Sequence, residues 1–557
     1  MGRILGLAVA LLLANCLSAG AQDLPLQDST VEQIDQVFDF VQPGDPGCAL
    51  GVVRNGRLAF AKGYGLANLD WGIQVSPSTV FDIGSVSKQF TATAIALLDI
   101  DGVLSIDDDV REWIPELPDY GATITIRHLL NHTSGIRDYL TLMALEGIDF
   151  DNVVTEFDGV ARIIRQRGLN FDPGSEYLYS NSGYLLLANI VRRVTGKSLR
   201  RFLEERVFEP LGMTHTLIWD DNTEVVHERA IGYSGETGDW SIDHAWNFQM
   251  GGDGQVITSV EDLAKWDANF YEPIVGGQAL LDRMFVRGVL NSGDTIEYAL
   301  GLSLDRYRGL RRVQHGGSWA GFRAVLARFP EQYTSIIVEC NRGDANVGAY
   351  ANEVADAVLA GLFTEAVAAD GEGNLSQREN RNPVVLSGNQ LARWEGVYVS
   401  SDDPTAVLFF ESCDTTLFVK VQQGAFSLQP FSETEFEVLG VGDPVEFTEG
   451  NGVVTAAAFG NVYIRANPLE IPADRLRAYT GSYWSPEVAA TYEVTLEDDQ
   501  LMLRRFGGEP DRLVSLAPDN FIGAGLGMKF VRAGRRVTSF VVDAGRARGM
   551  VFERQRR

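Results

Sequence analysis

The feature that most constrains the fold of this chain is a repeat in its C-terminal third. Leu391-Ala-Arg-Trp-Glu-Gly-Val-Tyr398 matches Leu476-Arg-Ala-Tyr-Thr-Gly-Ser-Tyr483 at an offset of 85 residues. Each copy is followed by an alternating apolar and polar run, an acidic turn and a second alternating run. Alternation with frequent turns is typical of antiparallel strands. The repeat therefore predicts two all-β units of about 80 residues, each a small antiparallel barrel.

The residues before the repeat show a different pattern, in which strand-like and helix-like segments alternate. A predicted hairpin over residues 48–61 and two predicted strands over 321–329 and 334–340 enclose the helical stretches. This order predicts an α+β fold, with an antiparallel sheet flanked by helices plus a helical subdomain. The expected boundaries are a domain over 22–365, a linker over 366–384 and barrels over 385–468 and 469–557.

The first 21 residues have the pattern of a cleavable signal peptide. Arg3 precedes a mostly apolar run that ends near Leu17, and small residues follow up to Ala21. The run is too short to favour a membrane span, and no later segment is apolar enough for one. We therefore expect a periplasmic or secreted protein, cleaved after Ala21 and without an integral membrane span.

Charge and cysteine content narrow the possible partners and the covalent framework. A formal net charge of −28 argues against nucleic-acid binding, which needs basic patches. Cys48, Cys340 and Cys413 remain after the signal peptide, too few and too sparse for a disulfide scaffold. Cys48 and Cys340 could pair across neighbouring strands, but buried free thiols are the favoured interpretation.

The segment with the clearest chemical meaning is Gly84-Ser85-Val-Ser-Lys88. Ser85 and Lys88 are three positions apart, so both side chains project from one face of a helix. A serine hydroxyl is a poor nucleophile unless a base takes its proton. Lysine can be that base where burial or nearby positive charge lowers its pKa. Because such pairs also occur on solvated helices, the spacing needs support from other segments.

Tyr179 and Asn181 give part of that support. They lie two residues apart in a segment predicted to be extended, so both side chains should point the same way. A phenol held among cations can act as a proton shuttle, and an amide can hold both the lysine and a substrate carbonyl. A purely structural role for Tyr179 in the core is the alternative.

A third segment, His315-Gly316-Gly317-Ser318, predicts a strand edge at which the backbone approaches a ligand closely. The amide of Ser318 could pair with that of Ser85 as an oxyanion hole, and His315 could help to protonate or orient the substrate. His128 and His132 have no third ligand at a plausible spacing, so we interpret them as scaffold and expect no metal.

In this order the motifs resemble the serine β-lactamase and penicillin-binding-protein superfamily, over about residues 31–360. The architecture is most similar to bacterial D-aminopeptidases. The resemblance implies a β-lactamase/transpeptidase-like domain followed by two lipocalin-like barrels, and no cofactor. It also implies that a loop of the last barrel, here residues 545–549, reaches the active site. The matching segments are Gly84-Ser85-Val-Ser-Lys88-Gln-Phe, His128-Leu-Leu-Asn-His-Thr-Ser-Gly135, Pro173-Gly-Ser and His315-Gly-Gly317.

One departure from the family pattern bears on the substrate. β-Lactamases and carboxypeptidases carry Lys-Thr-Gly where this chain has His315-Gly-Gly317, and their lysine helps to bind a carboxylate. A histidine is mostly neutral near pH 7. The change favours amine-terminated peptides or esters over β-lactams.

The sequence thus predicts an exported hydrolase that acts through an acyl-enzyme on Ser85. Its expected substrates are small peptides, amides or esters of D-amino acids. Three alternatives stay open: a short-chain carboxylesterase, a penicillin-binding D,D-carboxypeptidase or β-lactamase, and an acylatable sensor or inactive binding protein. The sequence does not distinguish a monomer from a homodimer.

Overall fold

The computed structural model describes most of the chain. The predicted signal peptide and almost all of the predicted linker lie outside the described residues. Among the described residues, no helix combines the length and the apolar character that a bilayer span requires. The described residues are 26–148, 152–364, 384–401, 407–413, 415–421, 424–438, 444–450, 452–458, 461–523 and 525–556.

A six-stranded antiparallel sheet forms the centre of the N-terminal domain, in the order β12-β13-β14-β15-β1-β2. The first and last strands of the domain lie next to each other in this sheet, and the helical region is inserted between them. The strands are β1 (Cys48–Arg54), β2 (Arg57–Tyr64), β3 (Leu66–Asn68), β4 (Ile73–Gln74), β5 (Phe81–Asp82), β6 (Val154–Thr155), β7 (Leu217–Ile218), β8 (Tyr233–Glu236), β9 (Asp239–Ile242), β10 (Phe248–Gln249), β11 (Val256–Thr258), β12 (Ser303–Tyr307), β13 (Leu310–Trp319), β14 (Phe322–Phe329) and β15 (Thr334–Cys340).

Helices cover both faces of this sheet and bury two apolar clusters against it. The larger cluster contains the apolar side chains of α2 and α7, because these helices run through the domain interior. The smaller cluster lies under α1 and α12. The helices are α1 (Asp28–Val37), α2 (Lys88–Ile100), α3 (Val110–Trp113), α4 (Ile126–Leu130), α5 (Tyr139–Glu146), α6 (Glu156–Ile164), α7 (Asn181–Thr195), α8 (Leu199–Leu203), α9 (Glu209–Leu211), α10 (Val260–Ala268), α11 (Gly277–Met284) and α12 (Val347–Val358).

A disulfide joins Cys48 to Cys340, so the prediction of buried free thiols was wrong. Strands β1 and β15 pair antiparallel, and their register sets Cys48 directly opposite Cys340. Both cysteines are fully buried. The third cysteine, Cys413, is free and exposed.

The C-terminal residues form two closed barrels of antiparallel strands, which confirms the predicted fold class. The exact domain boundaries stay a prediction. The first barrel follows α13 (Gly388–Ala392) and contains β16 (Gly396–Ser400), β17 (Val407–Cys413), β18 (Thr416–Val421), β19 (Gly424–Pro430), β20 (Glu435–Val438), β21 (Pro444–Gly450), β22 (Val453–Ala458) and β23 (Asn461–Arg465). The second follows α14 (Ala473–Leu476) and contains β24 (Gly481–Ser485), β25 (Ala490–Glu497), β26 (Gln500–Arg505), β27 (Asp511–Ala517), β28 (Asn520–Gly523), β29 (Leu526–Ala533), β30 (Arg536–Ala544) and β31 (Ala547–Arg554).

The second barrel packs directly on the helical part of the N-terminal domain. Leu142 and Leu145 of α5 belong to the same apolar cluster as the interior of the barrel. Arg137 forms an ion pair with Glu487 at 2.7 Å, and both side chains are largely buried. The hydroxyl of Tyr492 donates to the backbone oxygen of Leu145 at 2.8 Å. These contacts fix this barrel beside the cleft described next.

Candidate active site

A sharp turn between β5 and α2 presents Ser85 to a cleft. Gly84 opens a short 3-10 turn with φ of 50°, a conformation that side-chain-bearing residues rarely adopt. A Cβ atom at Gly84 would lie 2.8 Å from the amide nitrogen of Ser318, so only glycine fits. Asp82 accepts the N–H of Gly84 at 2.8 Å and holds the turn. Ser85 thus lies on the turn itself, and Lys88 is the first residue of α2.

Lys88 is fully buried and its amine has three close oxygen neighbours. Its Nζ lies 3.1 Å from Ser85 Oγ, 2.9 Å from Asn181 Oδ1 and 2.6 Å from the backbone oxygen of Asp253. The amide and backbone oxygens can only accept, so they use two N–H groups of the amine. A neutral amine then has its lone pair left for the hydroxyl proton of Ser85. The geometry suits a neutral lysine that acts as a base.

The pKa of Lys88 is lowered to about 8, mainly by burial and to a smaller extent by the charge of Arg546, against the opposing charges of Asp253 and Asp138. A substantial fraction of the lysine is therefore neutral near pH 8, in contrast with an exposed lysine. A lowered pKa of this kind is what allows a lysine to act as the base for a serine hydroxyl.

Tyr179 lies on the wall of the cleft beside Lys88, with 4.9 Å between Lys88 Nζ and the ring centroid. The ring of His132 packs against it at 4.2 Å between centroids. Burial raises the pKa of Tyr179, while Ser85 and Arg546 oppose this shift. Its hydroxyl is buried and makes no hydrogen bond of standard geometry within the described structure, although Ser85 is near. An available phenol at this place can accept a hydrogen bond from, or donate one to, a bound substrate.

Asn181 begins helix α7, so the prediction of an extended segment through this residue was wrong. Ser180 is still extended, and the helix starts where the N–H of Asn181 finds an acceptor in Asp138 Oδ2 at 2.6 Å. Because the change of conformation falls between Tyr179 and Asn181, both residues nevertheless line the cleft. The side-chain oxygen of Asn181 holds Lys88.

His315 lies on β13 at the opposite wall of the cleft. Its Nδ1 lies 2.7 Å from the backbone oxygen of Gly316, so Nδ1 carries the proton and Nε2 can accept from the hydroxyl of Tyr298 at 3.0 Å. Burial lowers the pKa of His315 to about 4, with a further contribution from the charge of Lys88. A neutral imidazole with both nitrogens engaged favours the orienting role over that of a proton donor.

Gly316, Gly317 and Ser318 continue this strand past the nucleophile, and all three line the cleft. A Cβ atom on Gly317 would lie 1.9 Å from the backbone oxygen of Ile83 and 3.1 Å from the amide nitrogen of Ser85. The strand can approach the turn of Ser85 this closely only because residue 317 is glycine. The backbones of Ser85 and Ser318 are thereby brought close together at the cleft.

The cleft has a volume of about 940 Å³ and includes residues that the motifs did not reveal. The backbone oxygen of Asp253 accepts a hydrogen bond from the amine of Lys88. The buried carboxyl of Asp253 accepts a hydrogen bond from the hydroxyl of Tyr139 at 3.0 Å. The glycine-rich run around Asp253 is the signal that could have identified it. Phe426 of the first barrel and Arg546 of the second barrel also line the cleft. The position of Arg546 confirms the predicted approach of the loop over residues 545–549.

His128 and His132 serve the fold around this cleft. His128 Nδ1 accepts the N–H of Thr125 and completes a capping box on α4. His132 Nδ1 accepts the N–H of Ser180 at 3.1 Å, directly before α7. Within the described residues, no group of three or more His, Cys, Asp or Glu side chains is arranged to hold a metal ion.

Comparisons with known proteins agree with this geometry. The family described as Beta-lactamase matches residues 28–360. Penicillin-binding protein 4* of Bacillus subtilis (strain 168) is 27% identical over 419 residues, which cover 71% of this chain and 89% of that protein. A D-aminopeptidase of Gluconobacter oxydans (strain 621H) is 28% identical over 356 residues, 64% of each protein. The chain thus spans less than two thirds of that relative.

A solved structure shows the same likeness. The crystal structure of a D-amino acid amidase from Ochrobactrum anthropi SV3, complexed with L-phenylalanine amide, aligns with a TM-score of 0.51 and 25% identity. The alignment covers 59% of this chain and 98% of the amidase. The shared part is therefore the size of the N-terminal domain.

Proposed function

Because this chain belongs to the Beta-lactamase family, a family of serine hydrolases, we propose that it is an exported hydrolase that forms an acyl-enzyme on Ser85. Its proposed substrates are small peptides, amides or esters of D-amino acids. The single observation that carries the proposal is the contact set of Lys88, in which two fixed acceptors leave the amine lone pair for the Ser85 hydroxyl.

The proposed reaction has two acyl-transfer steps. Neutral Lys88 takes the proton of Ser85 Oγ, which attacks the substrate carbonyl and forms a tetrahedral oxyanion. The amides of Ser85 and Ser318 stabilise that oxyanion, a contribution that typically amounts to about 3 kcal/mol for each donor. Tyr179 relays the proton to the leaving group, which departs as the carbonyl re-forms. Water then attacks the acyl carbonyl, a proton from that water passes through Lys88 to Ser85 Oγ as the ester bond breaks, and the acid departs from the restored serine.

Asn181 and His315 have positioning roles in this scheme. The side chain of Asn181 fixes Lys88 and can also contact the acyl group of the substrate. His315 accepts a hydrogen bond from the hydroxyl of Tyr298. The ring centroid of Tyr298 lies 4.7 Å from that of His132, which in turn packs against the ring of Tyr179. Gly316 and Gly317 let this strand come close to the turn of Ser85.

The choice of D-amino-acid substrates rests on the names of the relatives. A D-aminopeptidase and a D-amino acid amidase are among the similar proteins, and His315 stands where a carboxylate-binding lysine would be expected in β-lactamases. A penicillin-binding protein is also similar, which keeps the carboxypeptidase alternative in the test. The Cys48–Cys340 disulfide supports export, since disulfides persist mainly in oxidising compartments.

A panel of substrates tests the proposal. Purified protein is assayed with the p-nitroanilides of D-alanine and L-alanine, with p-nitrophenyl butyrate and with nitrocefin. We expect the D-anilide to be turned over best, and Ser85→Ala to lower kcat by about 10⁴-fold or more. Ser241→Ala, which removes the hydroxyl of an exposed serine outside the family motifs, serves as the matched control.

Other outcomes of the panel select the alternatives. Turnover of the butyrate alone would indicate an esterase, and fast nitrocefin turnover a β-lactamase. A lasting mass addition without product release would indicate a sensor. Retained turnover in Ser85→Ala would contradict the proposed nucleophile.

A further inference from the structure

Arg546 presents a cation in the cleft that has no anionic partner among the described residues. Two arginines line the cleft, Arg323 and Arg546. The guanidinium of Arg323 is used, because its Nη1 lies 2.7 Å from the backbone oxygens of both Ala320 and Phe322. Within the described part of the chain, no ion pair or hydrogen bond engages the guanidinium of Arg546. Such a group is unusual in a chain with a net charge of −28.

The acidic side chains nearest to the catalytic residues are already engaged by other donors. Asp138 is buried and accepts the N–H groups of Leu140 and Asn181. Asp253 accepts the hydroxyl of Tyr139. Neither carboxyl pairs with Arg546, so the charge of its guanidinium is directed at whatever enters the cleft.

The backbone around Arg546 is fixed, and its side chain is therefore presented at a defined place. The backbone oxygen of Arg546 accepts from the N–H of Asp138 at 3.0 Å and from the amide of Asn170 at 2.9 Å. The side-chain oxygen of Asn170 in turn accepts the N–H of Arg548 at 2.8 Å. Pre-ordering of this kind reduces the entropy cost of binding a ligand.

The guanidinium lies over the ring of Tyr179, with 5.1 Å between its carbon and the ring centroid. In the proposed reaction Tyr179 relays the proton to the leaving group. A charged substituent on the leaving group would therefore lie within reach of Arg546. A guanidinium binds a carboxylate through two parallel N–H donors, which makes the contact both strong and directional.

We infer that Arg546 binds a carboxylate on the leaving-group side of the substrate. The inference rests on the acyl transfer at Ser85 proposed above and narrows its substrates to molecules such as short peptides with a free carboxyl terminus. The second barrel thus supplies an anion contact that the neutral His315 does not provide.

The test compares two leaving groups that differ in charge and little in shape. The substrates are the 3-carboxyphenyl and 3-carbamoylphenyl esters, or the matching anilides, of whichever acyl group, D-alanyl or butyryl, the wild type turns over faster in the panel. The proteins are wild type, Arg546→Gln, Arg546→Lys and, as control, Arg548→Gln. Arg548 lies in the same loop but pairs with Glu176. Each kcat/KM is measured in the alkaline range in which the kcat/KM of that protein no longer changes with pH.

We expect the carboxylated substrate to lose about tenfold or more in kcat/KM in Arg546→Gln, while the neutral substrate changes by less than about threefold. Arg546→Lys should keep part of the preference, and Arg548→Gln all of it. The preference should also weaken at high salt, because a partly exposed ion pair is screened.

Different experimental results would overturn the carboxylate contact of Arg546 and the proposed acyl transfer at Ser85. An unchanged ratio of the two substrates in Arg546→Gln, including an equal loss for both, would overturn the inference alone. An absence of turnover for every substrate in the panel would overturn both. Substitution of the side chain leaves the backbone contacts of the loop in place, and a thermal unfolding curve checks that the variant is folded.

Discussion

The two C-terminal barrels share one sequence repeat but contribute differently to the cleft. In both, the repeated tyrosine donates its hydroxyl to the backbone oxygen four residues earlier: Tyr398 to Trp394 at 3.0 Å, and Tyr483 to Tyr479 at 2.6 Å. The second barrel adds a docking interface of apolar and polar contacts and the loop of Arg546. The first barrel reaches the cleft through the apolar side chain of Phe426. A repeat therefore predicts the fold of its copies but not their roles.

The loop of the second barrel is linked to the base by three consecutive contacts. The backbone oxygen of Arg546 accepts the N–H of Asp138, whose carboxyl accepts the N–H of Asn181. The side chain of Asn181 then accepts from Lys88. These hydrogen bonds connect the docked second barrel to Lys88, the lysine proposed as the base, and the first barrel has no such connection among the described residues.

The largest effect is expected at the docking interface. Glu487→Ala leaves Arg137 as a buried charge without its partner, so we expect a loss of about 3 kcal/mol or more in the free energy of unfolding. Glu449→Ala, which removes an exposed pair with Arg393 in the first barrel, should cost less than about 1 kcal/mol. Urea unfolding of the whole chain measures both. Equal losses would remove the contrast between the barrels.

A second effect concerns the pH dependence of catalysis. The base must be neutral, so kcat/KM should rise with pH through an apparent pKa of about 8. In Arg546→Gln a nearby positive charge is lost, the protonated lysine becomes more stable, and this limb should move to higher pH. Phe426→Ala removes no charge and should leave the limb unchanged. A pH profile that is identical in all three proteins would argue against Lys88 as the base.

The smallest effect is expected from Phe426→Ala itself. Phe426 is half-buried and contributes only apolar contact at the edge of the cleft, so KM should change by less than about threefold. Steady-state kinetics with the best substrate of the panel measures this. A change of tenfold or more would show that the first barrel also forms part of the substrate site.

The sequence predicted the fold class. Its ordered motifs also predicted that one site contains Ser85, Lys88, Tyr179, Asn181 and His315. It did not predict the disulfide, because the two cysteines are 292 positions apart and only the register of their paired strands brings them together. The backbone oxygen of Asp253 was missed because a main-chain acceptor depends on the fold and not on its own side chain, and only the neighbouring glycines mark its position. The pair of Arg137 and Glu487, 350 residues apart, is likewise set by docking and not by local pattern.

A mass measurement of the acyl-enzyme tests Ser85 as the nucleophile most directly. Wild-type protein is mixed with the panel substrate that it turns over most slowly. The mixture is quenched in acid, digested and analysed by mass spectrometry. We expect the acyl mass on the peptide that contains Ser85, and no such mass in Ser85→Ala. Turnover with the acyl group on another residue, or with no covalent adduct at any time, would contradict it.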